Sequence, residues 1–243
     1  MSPPETILHA DREHRGIEIL VPLIILVSGV LFYLLLDDLV LKPLFGDTGI
    51  GSFRPLLRLV LAVVLGALVG AGSEVWLKRT WHSGRLLRLG PDQLTVVSKE
   101  KPAETIRWDR RVNLLCWRYS LQGFPRGGRE RRVPAGHHLL ACRLLQDDTS
   151  VIVHSYLSSA QVQRIPHHQR FTGLNMASLY TSGFLKRRGL PERPALTAEH
   201  LSGQQGPVWA AEKKRWTDSL EFDAGDFITL IQTLDNHGLM PSR

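Results

Sequence analysis

Two apolar blocks before residue 78 constrain this chain more than any other feature. From Ile17 to Leu36 it reads IEILVPLIILVSGVLFYLLL, with Glu18 as the only charge, one residue inside the end where it reaches lipid headgroups. At about 1.5 Å rise per residue, such a helix covers roughly the 30 Å of a bilayer's hydrocarbon. The second block, Pro55 to Leu77, carries Arg58 near one end and Glu74 near the other, with LVLAVVLGALVGAGS between them. Both charges are within snorkelling reach of an interface. A cleaved signal peptide is the competing account of the first block. The apolar run is too long for one, no A-x-A cleavage site follows, and a second span comes soon after. The sequence therefore predicts an N-terminal tail over 1–16 and a two-helix transmembrane hairpin over 17–77, with spans 17–36 and 55–77.

Orientation follows from basic residues at the helix ends, because cytoplasmic flanks collect Lys and Arg. Lys78, Arg79, Arg85 and Arg88 follow the second block, and Arg12 and Arg15 precede the first. The connecting loop sets Lys42 and Arg54 against Asp37, Asp38 and Asp47. This places both termini in the cytoplasm and the loop outside, as in a multi-pass protein of a cell inner membrane. Within the second block Ala62, Gly66 and Gly70 recur every four residues on one helical face. Small residues let backbones approach closely in lipid. That face either packs on the first span near Ser28 and Gly29 or makes a homo-oligomer.

The mean hydropathy of -0.07 hides how uneven the chain is. The first 77 residues hold 5 Lys+Arg and 8 Asp+Glu, whereas the rest hold 25 and 15, so all of the net +7 lies in the second part. Such a bias suits anionic lipid or nucleic acid. Tethering to a bilayer makes lipid the cheaper explanation, and no nucleic-acid partner is expected. The 2 cysteines, Cys116 and Cys142, lack CxxC spacing and read as thiols in a reducing compartment.

Residues 85–156 read as six short strands separated by turns: RLLRL, QLTVVS, ETIRWD, VNLLCWRY, HHLLACRLL and SVIVHSY. Alternation at Leu94/Val96 and Leu114/Cys116 turns one face inward, which argues for a compact antiparallel sheet. The link Ser120 to Gly136, with glycine, proline and four arginines, is expected as an exposed loop. Near the C-terminus Asp223 has N-cap placement, Phe222 and Phe227 have staple spacing, and Phe227, Leu230, Ile231 and Leu234 form one apolar stripe that Gly238 can end.

Two spans leading into LRLGPDQLTV, then TIRWDRRVNLLCW with Trp108, a hairpin and a closing C-terminal helix resemble bacterial membrane proteins that carry a pleckstrin-homology-like domain. The resemblance covers roughly 80–157 and 216–238. It implies an α+β membrane protein: a two-helix transmembrane hairpin, then a cytoplasmic PH-like antiparallel β-domain over 80–243 with a helical insertion at 158–215 and a C-terminal capping helix. A seventh strand would be displaced to about 216–222. The first hairpin turn is Gly90-Pro91-Asp92, so the resemblance implies no inositide site.

In the insertion, Thr172 to Arg188 can form a helix ending in Lys186, Arg187 and Arg188, where positive charge complements the macrodipole. RGLPERPALTAEHLSGQQGP reads as loop, and a short helix can run from Pro207 to Trp216. Phe184 and Leu185 either pack or dip into a membrane surface. Arg126, Arg129, Arg131 and Arg132 form the densest basic patch. With Lys186, Arg187 and Arg188 they are the candidates for binding an anionic surface or a partner.

Ten histidines, among them His137/His138, His154 and His167/His168, invite a metal reading. Neighbours on a strand point to opposite faces and no HExxH or Cys pair accompanies them, so no metal site is expected. A phosphate loop, a dinucleotide fingerprint and a nucleophile elbow are all missing, and Asp147 with Asp148 fits a turn. No catalytic residue, cofactor or enzymatic activity is expected. The reading is a non-catalytic membrane-anchored binding or assembly module for a protein partner, the alternative being an anionic-lipid reader or membrane organiser.

Overall fold

Every strand read from the alternating apolar pattern is present, together with three that the pattern did not reveal. A computed structural model describes residues 5–11, 15–45, 53–81, 83–98, 103–180 and 195–240. In chain order the elements are β1 (Thr6–His9), α1 (Arg15–Leu36), α2 (Lys42–Phe45), α3 (Arg54–Thr80), β2 (Leu86–Leu89), β3 (Gln93–Val97), β4 (Glu104–Arg107), β5 (Asn113–Ser120), β6 (His137–Gln146), β7 (Thr149–Ser158), α4 (Ser159–Val162), β8 (Thr172–Gly173), α5 (Ala198–Ser202), α6 (Gly206–Arg215), β9 (Leu220–Glu221) and α7 (Ala224–Asn236). They divide into two compact units, residues 12–83 and residues 1–11 with 84–243.

In the first unit α1 and α3 are both long and apolar enough to cross a membrane. A π-helical turn over Asp37–Leu41 carries α1 on into α2. The helices meet through small residues. A Cβ added at Gly66 would come within 3.1 Å of Gly29 Cα and N and of the Ile25 carbonyl oxygen, and one at Gly70 would strike the Ile25 side chain. The opposite faces are apolar and uncovered: Ile19, Leu23, Leu26, Leu56, Val63 and Leu68 each expose more than half of their surface.

The second unit is built on two sheets. One has four antiparallel strands in the order β1-β2-β3-β4, and the other has five in the order β8-β5-β6-β7-β9. The N-terminal stretch is therefore no tail. Thr6 to His9 pairs with Leu89 to Leu86, and Leu8 and Ala10 are buried in the main core. Aspartate 11 follows with φ +52 and locks the two sheets together: its N–H donates to the Glu221 carbonyl at 2.8 Å, and its Oδ1 accepts from the Glu221 N–H at 3.1 Å.

Strands β5, β6 and β7 are antiparallel and 8 to 10 residues long. Each of their outer edges is covered over two residues by a parallel strand, β8 on β5 and β9 on β7. The strand expected near 216–222 thus appears as β9, only two residues long and parallel, so the sheet is mixed rather than purely antiparallel.

Both faces of this sheet are buried. Cys116, Leu140, Cys142, Leu144, Val151 and Val153 point into a core shared with Leu87, Leu94 and Ile106 of the four-stranded sheet and with the α7 stripe Phe227, Leu230, Ile231 and Leu234. The alternate positions Trp117, Tyr119, Leu139, Ala141 and Ile152 meet Val208, Trp209 and Ala211 of α6. Helix α7 begins as its sequence predicts. The Asp223 side chain accepts from the Asp226 N–H at 2.8 Å, and Gly238 follows the helix with φ +68. Burying those four α7 side chains contributes roughly 1.5–3 kcal/mol each.

The insertion departs from its reading in three places. Thr172 and Gly173 form β8 instead of opening a helix, and Met176–Leu179 is a single 3-10 turn. The β5 edge explains this: the Leu174 N–H donates to the Arg118 carbonyl at 2.9 Å, and Leu174 and Met176, two apart, are both buried. Within the stretch expected as loop, Ala198–Ser202 is helical. Phe184, Leu185, Lys186, Arg187 and Arg188 lie outside the described residues, as do Arg12 and Asp47.

Candidate functional site

The arginine-rich link between β5 and β6 is not the open loop its composition suggests. Gly128–Arg132 forms a 3-10 turn that lies against the sheet, with Leu121 and Glu130 buried. Arg126 Nη1 donates to the carbonyls of Glu130 and Val133, which shapes the turn from within. Arg129 Nη2 lies 2.9 Å from Glu221 Oε1. Of the four arginines, Arg131 and Arg132 are exposed. The structure therefore splits the patch into an inward pair and an outward pair.

What draws the turn inward is a buried polar network that the sequence reading did not single out. Glu212, on α6, takes five hydrogen bonds. Its Oε1 accepts from Tyr119 Oη at 3.1 Å, Arg215 Nη2 at 2.7 Å and Trp216 Nε1 at 2.7 Å, and its Oε2 from Trp117 Nε1 at 2.7 Å and Arg215 Nε at 2.8 Å. Arg215 Nη2 also reaches Glu130 Oε1 at 2.8 Å and Tyr119 Oη at 2.9 Å. Tyr119 Oη is 3.0 Å from Glu130 Oε1. A phenol has one proton to give, so Tyr119 donates to one carboxylate at a time while accepting from Arg215.

Burial is the largest single influence on Glu212 and opposes its charge. The Arg215 charge and the hydrogen bonds from Arg215, Trp117 and Trp216 together outweigh it and hold the carboxyl below its ordinary range. Burial also works against the Arg215 charge, but Glu212 and Tyr119 turn the balance and raise it well above the usual arginine value. Burial and the two glutamates push the Tyr119 hydroxyl well up, with Arg215 opposing. A carboxylate so fully engaged by donors holds geometry: it fastens α6, the arginine turn and β5 to one point.

His154 borders this network. It is buried, its Nδ1 has no hydrogen-bond partner among the described residues, and its Nε2 lies 3.6 Å from Glu221 Oε2. Burial, reinforced by Arg215 and Arg129 against Glu212 and Asp11, lowers its pKa to about 3. Histidine 154 is therefore neutral near pH 7.

A cleft of about 220 Å³ opens beside β9, lined by Arg85, Ser98, Glu104, Ser150, Thr217 and Asp218 among others. Its arginine is already engaged: Arg85 Nη1 donates to Asp11 Oδ2 at 2.8 Å and to the Ser219 carbonyl at 3.1 Å. Ala62, Gly66 and Gly70 are all buried in the seam between α1 and α3. The small-residue face thus has an intramolecular partner. Two signals of the polar network were present in the sequence. Glu212 and Arg215 stand three apart on a short helix, and Trp117 and Tyr119 stand two apart on one strand face. No family model, curated protein or solved structure matches the chain.

Proposed function

We propose that this chain is a membrane-anchored, non-catalytic binding or assembly module that presents a pleckstrin-homology-like β-domain to a protein partner at the cytoplasmic face of a bacterial inner membrane. The observation that carries the reading is the pairing of β1 with β2 around the helical hairpin. Residues 12–83 are inserted between two strands that are hydrogen-bonded to one another in the other unit. The chain must leave and re-enter that unit at one edge, which supports an even number of spans with both flanks on one side.

Other features support the anchor. The outward faces of α1 and α3 are apolar, and Trp76 and Trp81 are exposed beside Lys78 and Arg79 at one end of α3, as in an interfacial aromatic belt. The four-stranded sheet, the three long antiparallel strands and the α7 stripe share one core, which supports the PH-like reading. Confinement near the bilayer raises the effective concentration of the domain for a membrane partner without requiring strong intrinsic affinity. The inward ties of Arg126 and Arg129 favour a protein partner over general attraction of the basic loop to anionic lipid.

The test is purification of the full-length protein from membranes in mild detergent, at low and at high salt, with mass spectrometry of what accompanies it. A stoichiometric protein that survives high salt is the expected result. Recovery of the chain with salt-labile lipid alone, lost in an Arg131→Gln/Arg132→Gln variant, would replace this reading with the anionic-lipid one.

A further inference from the structure

The chain passes between its two units at two places. Asp11 is the last residue of the β-domain before the helical hairpin, and Arg85 is the second residue after it. These two flanks are bonded to each other. The Ala10 N–H donates to the Arg85 carbonyl at 3.0 Å, and Arg85 Nη1 donates to Asp11 Oδ2 at 2.8 Å. Asp11 keeps φ +52, a left-handed backbone that a non-glycine residue holds where its surroundings enforce it.

Both flanks are also fastened to the segment before α7. Arg85 Nη1 donates to the Ser219 carbonyl at 3.1 Å, the Asp11 N–H to the Glu221 carbonyl at 2.8 Å, and the Glu221 N–H to Asp11 Oδ1 at 3.1 Å. Those last two bonds use the backbone of Glu221, while its carboxylate reaches the arginine turn. Its Oε1 lies 2.9 Å from Arg129 Nη2, and its Oε2 faces His154 Nε2 at 3.6 Å. An unbroken run of bonds therefore leads from the two hairpin flanks, through β9, to the turn that carries the exposed Arg131 and Arg132.

We propose that Asp11, Arg85 and Glu221 form a clasp through which the helical hairpin sets how firmly the arginine turn is held. Movement of α1 or α3 in a bilayer reaches the β-domain along the chain at Asp11 and Arg85, and there it loads the bonds to Ser219 and Glu221. As those bonds loosen, Glu221 shifts and its hold on Arg129 weakens. Arg131 and Arg132 are then presented on a looser turn. The coupling runs both ways, so a partner that fixes the turn also tightens the clasp. The proposal rests on the membrane-anchored reading, because the load on the hairpin comes from the bilayer.

The experiment is hydrogen exchange of the full-length protein in phosphatidylcholine bilayers of short and of long acyl chains, read on the peptide covering Gly128–Arg132. A difference of about twofold or more between the two bilayers is expected, because mismatch in thickness tilts the helices. Equal rates on the unaltered chain overturn the proposal, even where a variant fails to fold. Asp11→Gly tolerates the same backbone conformation and removes the carboxylate, and Glu221→Ala removes the reach to Arg129. Each should speed exchange of the turn about fivefold, and the double variant should go no faster than the faster single one, since both break one path. Independent effects that multiply, or an Asp11→Gly effect confined to β1 and β9, would reduce the clasp to a local staple. Alkaline washing of membranes judges the anchor separately. A chain released by the wash removes the anchored reading and the load with it, whereas one that resists it yet exchanges alike in both bilayers removes the clasp alone.

Discussion

Arg215 Nη2 donates to Glu130 Oε1 across 2.8 Å, joining residues 85 apart in the chain through an ion pair whose side chains are 2% and 5% exposed. Arg215 is also bonded to Glu212, so one guanidinium holds two carboxylates out of water. Replacing it by Met leaves both buried without their cation. The expected cost is about 3–5 kcal/mol, the range for breaking a buried pair from one side. Glu130→Gln keeps an acceptor for Arg215 and should cost about 1 kcal/mol. Urea unfolding followed by tryptophan fluorescence reports both, since Trp117 and Trp216 bond to Glu212. Equal losses in the two variants would show that the charge is not what matters.

The depressed pKa of His154 makes stability depend on pH across a window that begins among the carboxylates and extends above them. The folded value is about 3, against an ordinary value of 6.5. Between these the unfolded chain binds the proton and the folded chain does not, so stability rises with pH, is complete above about 6.5 and is lost as pH falls. The slope within that window approaches about 1.4 kcal/mol per pH unit. Unfolding free energies at pH 7 and pH 5 should differ by roughly that order in the native protein, and His154→Gln should flatten the difference. Glu221, Asp11, Glu212, Arg215 and Arg129 surround the ring and are unchanged in that variant.

Gly66 and Gly70 face α1, whereas a Cβ at Gly72 would meet no atom within 4 Å. Gly66→Leu should therefore overpack the seam and lower stability in detergent by about 1–3 kcal/mol. Gly72→Leu should be close to neutral. Because the small-residue face already has a partner, size-exclusion profiles of both variants should match the unaltered protein. A change of oligomeric state in Gly66→Leu alone would assign that face to self-association instead.

Leu8 belongs to the main core although it precedes the hairpin. Leu8→Ala should cost about 2–5 kcal/mol, as for a buried leucine elsewhere. Hydrogen exchange at the β2 amides gives a second readout. Loss of Leu8 should speed it, and an unchanged rate would return residues 1–16 to the status of a tail.

Cys116 and Cys142 stand opposite one another in the register of β5 and β6, and both are buried. Burial, with the neighbouring thiol, pushes Cys142 well above its ordinary range. Neither thiol should react with a water-soluble disulfide reagent in the folded protein, and both should react after unfolding. Prompt labelling of the native chain would contradict the burial.

What the sequence determined by itself were the elements whose signals lie among near neighbours. The length of the apolar blocks set α1 and α3, the alternation at Leu94 and Cys116 set the strands, and Asp223 with Gly238 marked the ends of α7. These signals are local because helix periodicity, strand alternation and capping are settled within a few residues. Tertiary structure decided the rest. It placed Thr6–His9 at a sheet edge, joined Asp11 to Glu221 across 210 residues, turned Arg126 and Arg129 inward, and gave the Gly66 face to α1. A charge is buried only where distant partners offset its desolvation. Composition therefore read the arginine loop as solvated, and only the meeting of Glu130 with Arg215 brought it down onto the sheet.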